Sequence, residues 1–333
     1  MKIQILMLVL LQSLVTCQYI QAQDSLFNSD FQSKKNSTEK NFDLGSNSVY
    51  QSTDNGLTWH DISASLPSNL KNKAFFVNNG TLSLLSNYQL YNFKNGSTPV
   101  NWEKEYSLGI NIKDIYTCKS RVYGRSSEGD FFQKINGSSL WLPIQMPNSM
   151  VRTVLETQTG TLFVGCDNGI FKSTDKGKSW KHVFEDGIAL NMVESNGIII
   201  AGGQQGILRS INGGESWDWV IREGGVGIST EVIDGGFAAI TYNTTSKTRR
   251  VRISTDAGVS WQAIDGSGLT PTPFIASIKQ VGKNFICGHP DGILLSSDKG
   301  KTWKLVLPTI KNKVYNLSVS GKIIYAIPLN GGC

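Results

Sequence analysis

The sequence predicts an all-β fold, a closed seven-bladed β-propeller with four antiparallel strands per blade, and three observations carry that prediction. One eight-residue pattern, Ser-x-Asp-x-Gly-x-Ser/Thr-Trp, stands complete at Ser52–Trp59, Ser173–Trp180, Ser254–Trp261 and Ser296–Trp303, and recurs at Ser210–Trp217 with Asn212 in the Asp position. Seven tryptophans, Trp59, Trp102, Trp141, Trp180, Trp217, Trp261 and Trp303, follow one another at intervals of 37 to 44 residues, a period that marks a repeat architecture. Finally, the first unit has only its two outer strands, while two strands without a hairpin follow Trp303. One blade is thus divided between the two ends of the folded region, which closes the ring and removes exposed sheet edges.

Each repeat is a hairpin by its own chemistry. In the best copy Gly169–Ser173 leads in and Ser179–Phe184 leads out. The Asp accepts hydrogen bonds from the turn, the Gly supplies a positive φ, and the Trp lies back over the hairpin. The assigned structural positions are Ser52, Asp54, Gly56 and Trp59; Ser173, Asp175, Gly177 and Trp180; Ser210, Asn212, Gly214 and Trp217; Ser254, Asp256, Gly258 and Trp261; and Ser296, Asp298, Gly300 and Trp303. Before Trp102 and Trp141 only Asn95-Gly96 and Asn136-Gly137 remain, turn signals between apolar segments that read as worn copies.

These residues resemble the Asp-box, or BNR repeat, of sialidases, sortilin-type receptors and the photosystem II stability/assembly factor propellers. The resemblance covers five short segments and is specific for the hairpin rather than for one family. It implies that the boxes sit on the rim of the blade, at the turn between its outer strands, and do no catalysis. In length, blade number, signal-led export and box density the chain is most similar to the photosystem II assembly factors, and the resemblance then implies binding of a protein segment.

The inner strands are expected at Val151–Thr157 and Thr161–Gly165 in the best copy, and at Ile275–Lys279 and Asn284–Cys287 in the last full one, where Gly292–Ser296 and Thr302–Val306 complete the blade. The divided blade is expected from Ser48–Ser52, Thr58–Ile62, Val314–Val319 and Lys322–Ile327. Upstream of it, residues 1–22 read as a secretory signal peptide cleaved after Ala22. A lipoprotein box at Leu14-Val15-Thr16-Cys17 is the minor alternative and the one route to a membrane. Residues 23–46 read as a polar tether, and 47–333 as the propeller. The protein is expected to be exported and monomeric.

Of 333 residues 39% are hydrophobic and 17% charged, and the net charge of +6 is thinly spread, so a nucleic-acid surface is not expected. Beyond Cys17, Cys118, Cys166, Cys287 and Cys333 show no metal-ligand spacing, and no cofactor is expected. Four cysteines allow three pairings; buried free thiols are the preferred reading. Cys166 and Cys287 are expected at equivalent positions of different blades.

Ligand contacts are expected opposite the boxes, in the turns between second and third strands and in the links between blades. Candidate binding residues there are Arg125, Arg152, Arg222, Glu128, Asp167, Gln204, His289 and Asp291, with His289 expected as a solvated loop residue. Arg121, Arg125, Arg152 and Arg209 lie in consecutive blades, and guanidinium groups suit carboxylate recognition. No catalytic residue is assigned. The stretch upstream of Ser52 holds no Arg, where sialidases carry one, and the neighbouring Glu105-Tyr106 pair is expected to alternate in direction. The function expected is a non-catalytic binding or scaffold module for a peptide or partner protein. A sialidase-like or other propeller glycoside hydrolase is the alternative, with carbohydrate as its ligand.

Overall fold

The structure, a computed structural model, describes residues 48–329 apart from 68–69, 71, 79, 94–95, 97–99, 107–109, 119, 223–224 and 311–312. The expected signal peptide, the tether, Cys17 and Cys333 lie outside the described residues. Seven four-stranded antiparallel sheets form the fold. Blade I pairs Val314–Ser320, Ile323–Leu329, Tyr50–Ser52 and His60–Asp61, from the inside outward. Blades II to VII follow in sequence at 72–105, 112–144, 151–184, 189–221, 225–263 and 277–308. The innermost strands of neighbouring blades touch in an unbroken cycle, from blade I through blade VII and back. Closure depends on one antiparallel register, Tyr50 opposite Ala326, Gln51 opposite Tyr325 and Ser52 opposite Ile324.

Alternation explains the core. Second strands such as Leu162–Cys166 and Asn284–His289 are buried along their whole length because both faces meet neighbouring blades. Outer strands such as Lys181–Phe184 bury one face only in part. The core is accordingly a set of wedges between blades; Phe163, Ile170, Ala189, Met192 and Leu208 fill the one between blades IV and V.

The repeated turn is wired identically in four copies. The Ser hydroxyl donates to the Asp Oδ1 at 2.8 Å and accepts from the Gly N–H at 2.8–2.9 Å. The Asp in turn accepts from the backbone N–H of Thr58, Ser179, Ser260 or Thr302 at 2.9 Å, and from the same residue's hydroxyl. Asn212 keeps the frame by reversing one bond, since its amide donates to Ser216 Oγ at 2.8 Å. The sequence assigns the left-handed conformation to the Gly alone. In the structure the residue before it shares that conformation, with φ of 61° to 68° at Asn55, Lys176, Gly213, Ala257 and Lys299.

Each turn is also a latch onto the preceding blade. A Cβ on Gly56, Gly177, Gly214, Gly258 or Gly300 would come within 2.3–3.0 Å of Ile286, Ile144, Phe163, Ile200 or Ile264 respectively. Carbonyls of the turn accept from that blade as well. Asn284 Nδ2 donates to Asn55 at 3.1 Å, Lys172 Nζ to Gly213 at 2.8 Å, and Arg209 Nε to Ala257 at 2.7 Å. Arg209 is therefore part of the latch. Arg121, 3.8 Å from Glu156 at the same rim, also leaves the expected binding face.

The turn carboxylates set an acid limit. Hydrogen bonds from Ser179 and Ser173 hold Asp175 at about 2, and Thr302 with Ser296 does the same for Asp298. Partial burial opposes the shift at Asp54, yet its hydrogen bonds from Thr58 and Ser52 still bring it to about 2; the hydroxyl and amide of Ser260 lower Asp256 further. The unfolded carboxyl titrates at about 4. A lowered folded-state pKa means that this stabilisation is complete above about pH 4 and is lost as pH falls toward 2. The melting temperature should hold level at neutral pH and drop across that window. Asp175→Asn, which copies the Asn212 turn, should shallow the drop; an unchanged slope would exclude this turn as its source.

Candidate functional site

Strands that run toward the face opposite the turns deliver four arginine–aspartate pairs, one in each of blades III to VI. Arg125, in the strand Val122–Ser126, lies directly across from Asp114, and its Nε donates to Oδ2 at 2.8 Å. Arg152 donates from Nε and Nη2 to the two oxygens of Asp167, at 2.6 and 3.1 Å. Arg222 lies 3.6 Å from Asp186, and Arg250 donates from Nε and Nη2 to Asp265 at 2.8 and 2.7 Å. The pairing at Arg152 has a backbone cause. The register slips between Val151 and Thr153, leaving Arg152 as the extra residue of a β-bulge, which re-aims its side chain. The same slip occurs between Ile112 and Asp114 in blade III, where Lys113 is the extra residue and is exposed.

Two of the pairs share one field. Tyr116, on the strand between them, donates its hydroxyl to the Val151 carbonyl at 3.0 Å. Burial pushes its phenol up to about 12, with Arg125, Asp114 and Arg152 all acting on it. Arg125 also reaches Met150, and Asp167 raises the Arg152 guanidinium pKa further. The result is a fixed band of alternating charge.

Blade V adds an aromatic. The Arg222 guanidinium stacks 5.1 Å over the Trp219 ring, and Trp219 Nε1 donates to Asp186 at 3.4 Å. Gln205, not its neighbour Gln204, reaches Asp186, at 3.2 Å; Gln204 is exposed and bonds through its backbone to Ile188. Trp219 escaped the sequence reading, and the signal was present: it is the one tryptophan outside the repeat period.

Among the other candidates His289 and Asp291 come together, with Nδ1 and Oδ2 3.3 Å apart, and Glu128 does not join them. Glu128 is exposed in a turn, and the Ser127 hydroxyl at 2.7 Å lowers its pKa. His289 is not a solvated loop residue. It ends the strand Asn284–His289 and is 4% exposed. The reason is register: His289 faces Gly292 as Cys166 faces Gly169, so both occupy the same buried position. Cys287 therefore stands two residues earlier than the equivalent of Cys166, correcting the expected match. Burial lowers the His289 pKa, and its Nδ1 accepts from the Asp291 N–H at 3.2 Å, while the Asp291 carboxylate remains mostly in solvent. Cys118, Cys166 and Cys287 are free, and burial pushes Cys118 and Cys166 up to about 12. Among the described residues no group of three His, Cys, Asp or Glu side chains is placed to hold a metal.

What the face offers chemically is a set of preformed guanidinium groups held by aspartates, with one tryptophan ring beside them. No family model and no curated protein matches the sequence. Solved structures do match. The structure of YCF48 bound to D1 peptide is 15% identical, with a TM-score of 0.58 over 87% of this chain and 97% of that one. YCF48 from Cyanidioschyzon merolae is 12% identical, with a TM-score of 0.58 over 79% and 98%. The computationally designed Ika8 protein is 12% identical, with a TM-score of 0.52 over 79% and 82%. At these identities what the chain shares with them is a likeness of fold, and the chemistry has to be argued from its own residues.

Proposed function

We propose that this chain is an exported, non-catalytic Asp-box propeller that holds a peptide or partner-protein segment on the arginine-bearing face, as a monomeric assembly factor or scaffold. The observation that carries this reading is the run of arginine–aspartate pairs across four consecutive blades. Guanidinium groups bind carboxylates in a planar, two-pronged geometry, and here they are already oriented. The Arg152–Asp167 and Arg222–Asp186 pairs are exposed and add little to stability, so an incoming carboxylate can take the place of the aspartate there at small cost. The Trp219 ring and the Met150 thioether supply apolar contact beside them. YCF48, which shares the fold, holds a peptide. The reading of export rests on the apolar run from Ile3 to Val15 after Lys2 and on the cleavage pattern ending at Ala22.

The glycosidase alternative needs one carboxyl kept protonated as a general acid and a second in reach of it. Asp167 is instead clamped by Arg152, and hydrogen bonding moves Glu128 toward the ionised form. Selection from a library of peptides with free C-termini, followed by anisotropy measurements, tests the proposal. Arg125→Ala with Arg152→Ala should weaken the selected peptides at least about tenfold, or 1.4 kcal/mol, with an unchanged melting temperature. Binding should also weaken as salt rises. Hydrolysis of a sialoside or glucan that is abolished by Glu128→Gln, Asp167→Asn or Asp291→Asn would overturn the reading.

A further inference from the structure

An open groove of about 500 Å³ runs along the outer side of the wedge between blades II and III, and none of the paired arginines lines it. It lies where the repeated turn has degenerated. The glycine of every complete turn sits against the preceding blade, whereas a Cβ on Gly137, the worn counterpart in blade III, would meet nothing within 4 Å. Trp141 still packs beside Ile112 and Phe76; its Nε1, like that of Trp217, has no hydrogen-bond partner, whereas Trp102, which follows an equally worn turn, donates to the Ile62 carbonyl at 2.7 Å. The Gly137 turn lines the groove instead of pressing on blade II.

The wall of this groove is an ordered polar relay. Ser83 Oγ donates to Asn92 Oδ1 at 2.7 Å, Asn92 Nδ2 to Glu105 Oε2 at 2.9 Å, and Lys134 Nζ lies 2.8 Å from Glu105 Oε1. The charges of Glu105 and Lys134 cancel, and their side chains are 8% and 15% exposed. At the mouth Tyr106 is 78% exposed, with the Lys104 amine 5.4 Å from its ring. Glu105 and Tyr106 thus turn in different directions, as strand alternation requires, and do not form a nucleophile pair. The remaining lining adds Asn78, Thr81, Ser138 and Ser139, the apolar Phe76, and Glu103, whose charge offsets that of Lys104.

We propose that this groove is a binding site for a neutral oligosaccharide. A sugar ring presents an apolar C–H face bordered by hydroxyls that both donate and accept. An exposed tyrosine beside neutral amides and hydroxyls matches that pattern, while a net charge for an ionic ligand is lacking. The groove shares no lining residue with the arginine–aspartate pairs, so the two proposals fail independently. Isothermal titration of the whole protein with maltohexaose, cellohexaose and chitohexaose tests it. At least one should bind in the millimolar range or tighter, and Tyr106→Ala and Ser139→Trp should each weaken it about tenfold or more. Both positions are exposed, so the melting temperature should stay constant, and Arg152→Ala should leave sugar binding unchanged. No binding of any of the three, or equal binding by Tyr106→Ala and Ser139→Trp, overturns the proposal; loss with Arg152→Ala instead would move the sugar site to the arginine face.

Discussion

Gly214→Ala is expected to destabilise the fold by about 3 kcal/mol, from a single added methyl group. Two costs combine. The residue has φ of 77°, where an L side chain costs about 1 kcal/mol or more, and the new Cβ would lie 2.3 Å from Cε1 of Phe163. Phe163 is fully buried in the wedge between blades IV and V, so it has no space to yield, and overpacking of this kind costs about 1–3 kcal/mol. The control lies in the same protein. Gly137 has nearly the same backbone, φ of 73°, but open space around it, so Gly137→Ala should cost only about 1 kcal/mol. Urea denaturation of both variants separates conformation from packing. Equal losses would show that the turn glycines serve the backbone alone and that the latch contributes nothing.

Trp303→Ala should be costlier still, at about 3–5 kcal/mol, the usual range for emptying a buried large aromatic site. Trp303 is 7% exposed, packs with Ile264, Leu294 and Phe285, and donates to the Ile264 carbonyl of the preceding blade at 3.0 Å. Its removal opens a wedge and strands a buried carbonyl. Trp180→Ala should cost less, because Trp180 is half-buried and its Nε1 bond to the Gln145 carbonyl, at 3.2 Å, is exposed to water. Calorimetry of the two variants should rank them in that order, and peptide binding by folded Trp180→Ala should match wild type. A variant with wild-type melting that fails to bind would place the tryptophan at a ligand site.

What the sequence made legible was local. The Ser–Asp–Gly–Trp turn is a set of bonds within eight residues, so its pattern predicts its geometry, and the period of the tryptophans yields seven sheets. The division of blade I was readable for the same reason: the hairpin at Ser52–Trp59 lacks a partner beside it in sequence. What depends on partners far along the chain was not readable. That Asp186 meets Trp219 and Arg222, or that Arg209 serves a turn carbonyl, follows from the stacking of blades rather than from spacing. His289 shows a subtler failure. Its strand, Asn284–His289, runs one residue longer than Leu162–Cys166, and aligning the cysteines shifted the blade by two residues and put a buried ring in solvent. The bulge that redirects Arg152 has no Gly or Pro to announce it. The groove between blades II and III was hidden as an absence, visible only once the complete turns were seen to press on their neighbours.

The pairing of Tyr50–Ser52 with Ile323–Leu329 also fixes an order of events during biosynthesis. A chain delivered amino end first presents the outer hairpin of blade I at the outset, long before its inner half exists. Six blades can stack while that hairpin waits, unpaired along one edge. Contacts of such long sequence separation form late and slowly, since the intervening chain must be ordered before they are rewarded. Ring closure is then expected to come last, and pulse-labelled hydrogen exchange should find Tyr50–Ser52 protected only after the strands of blades II to VII.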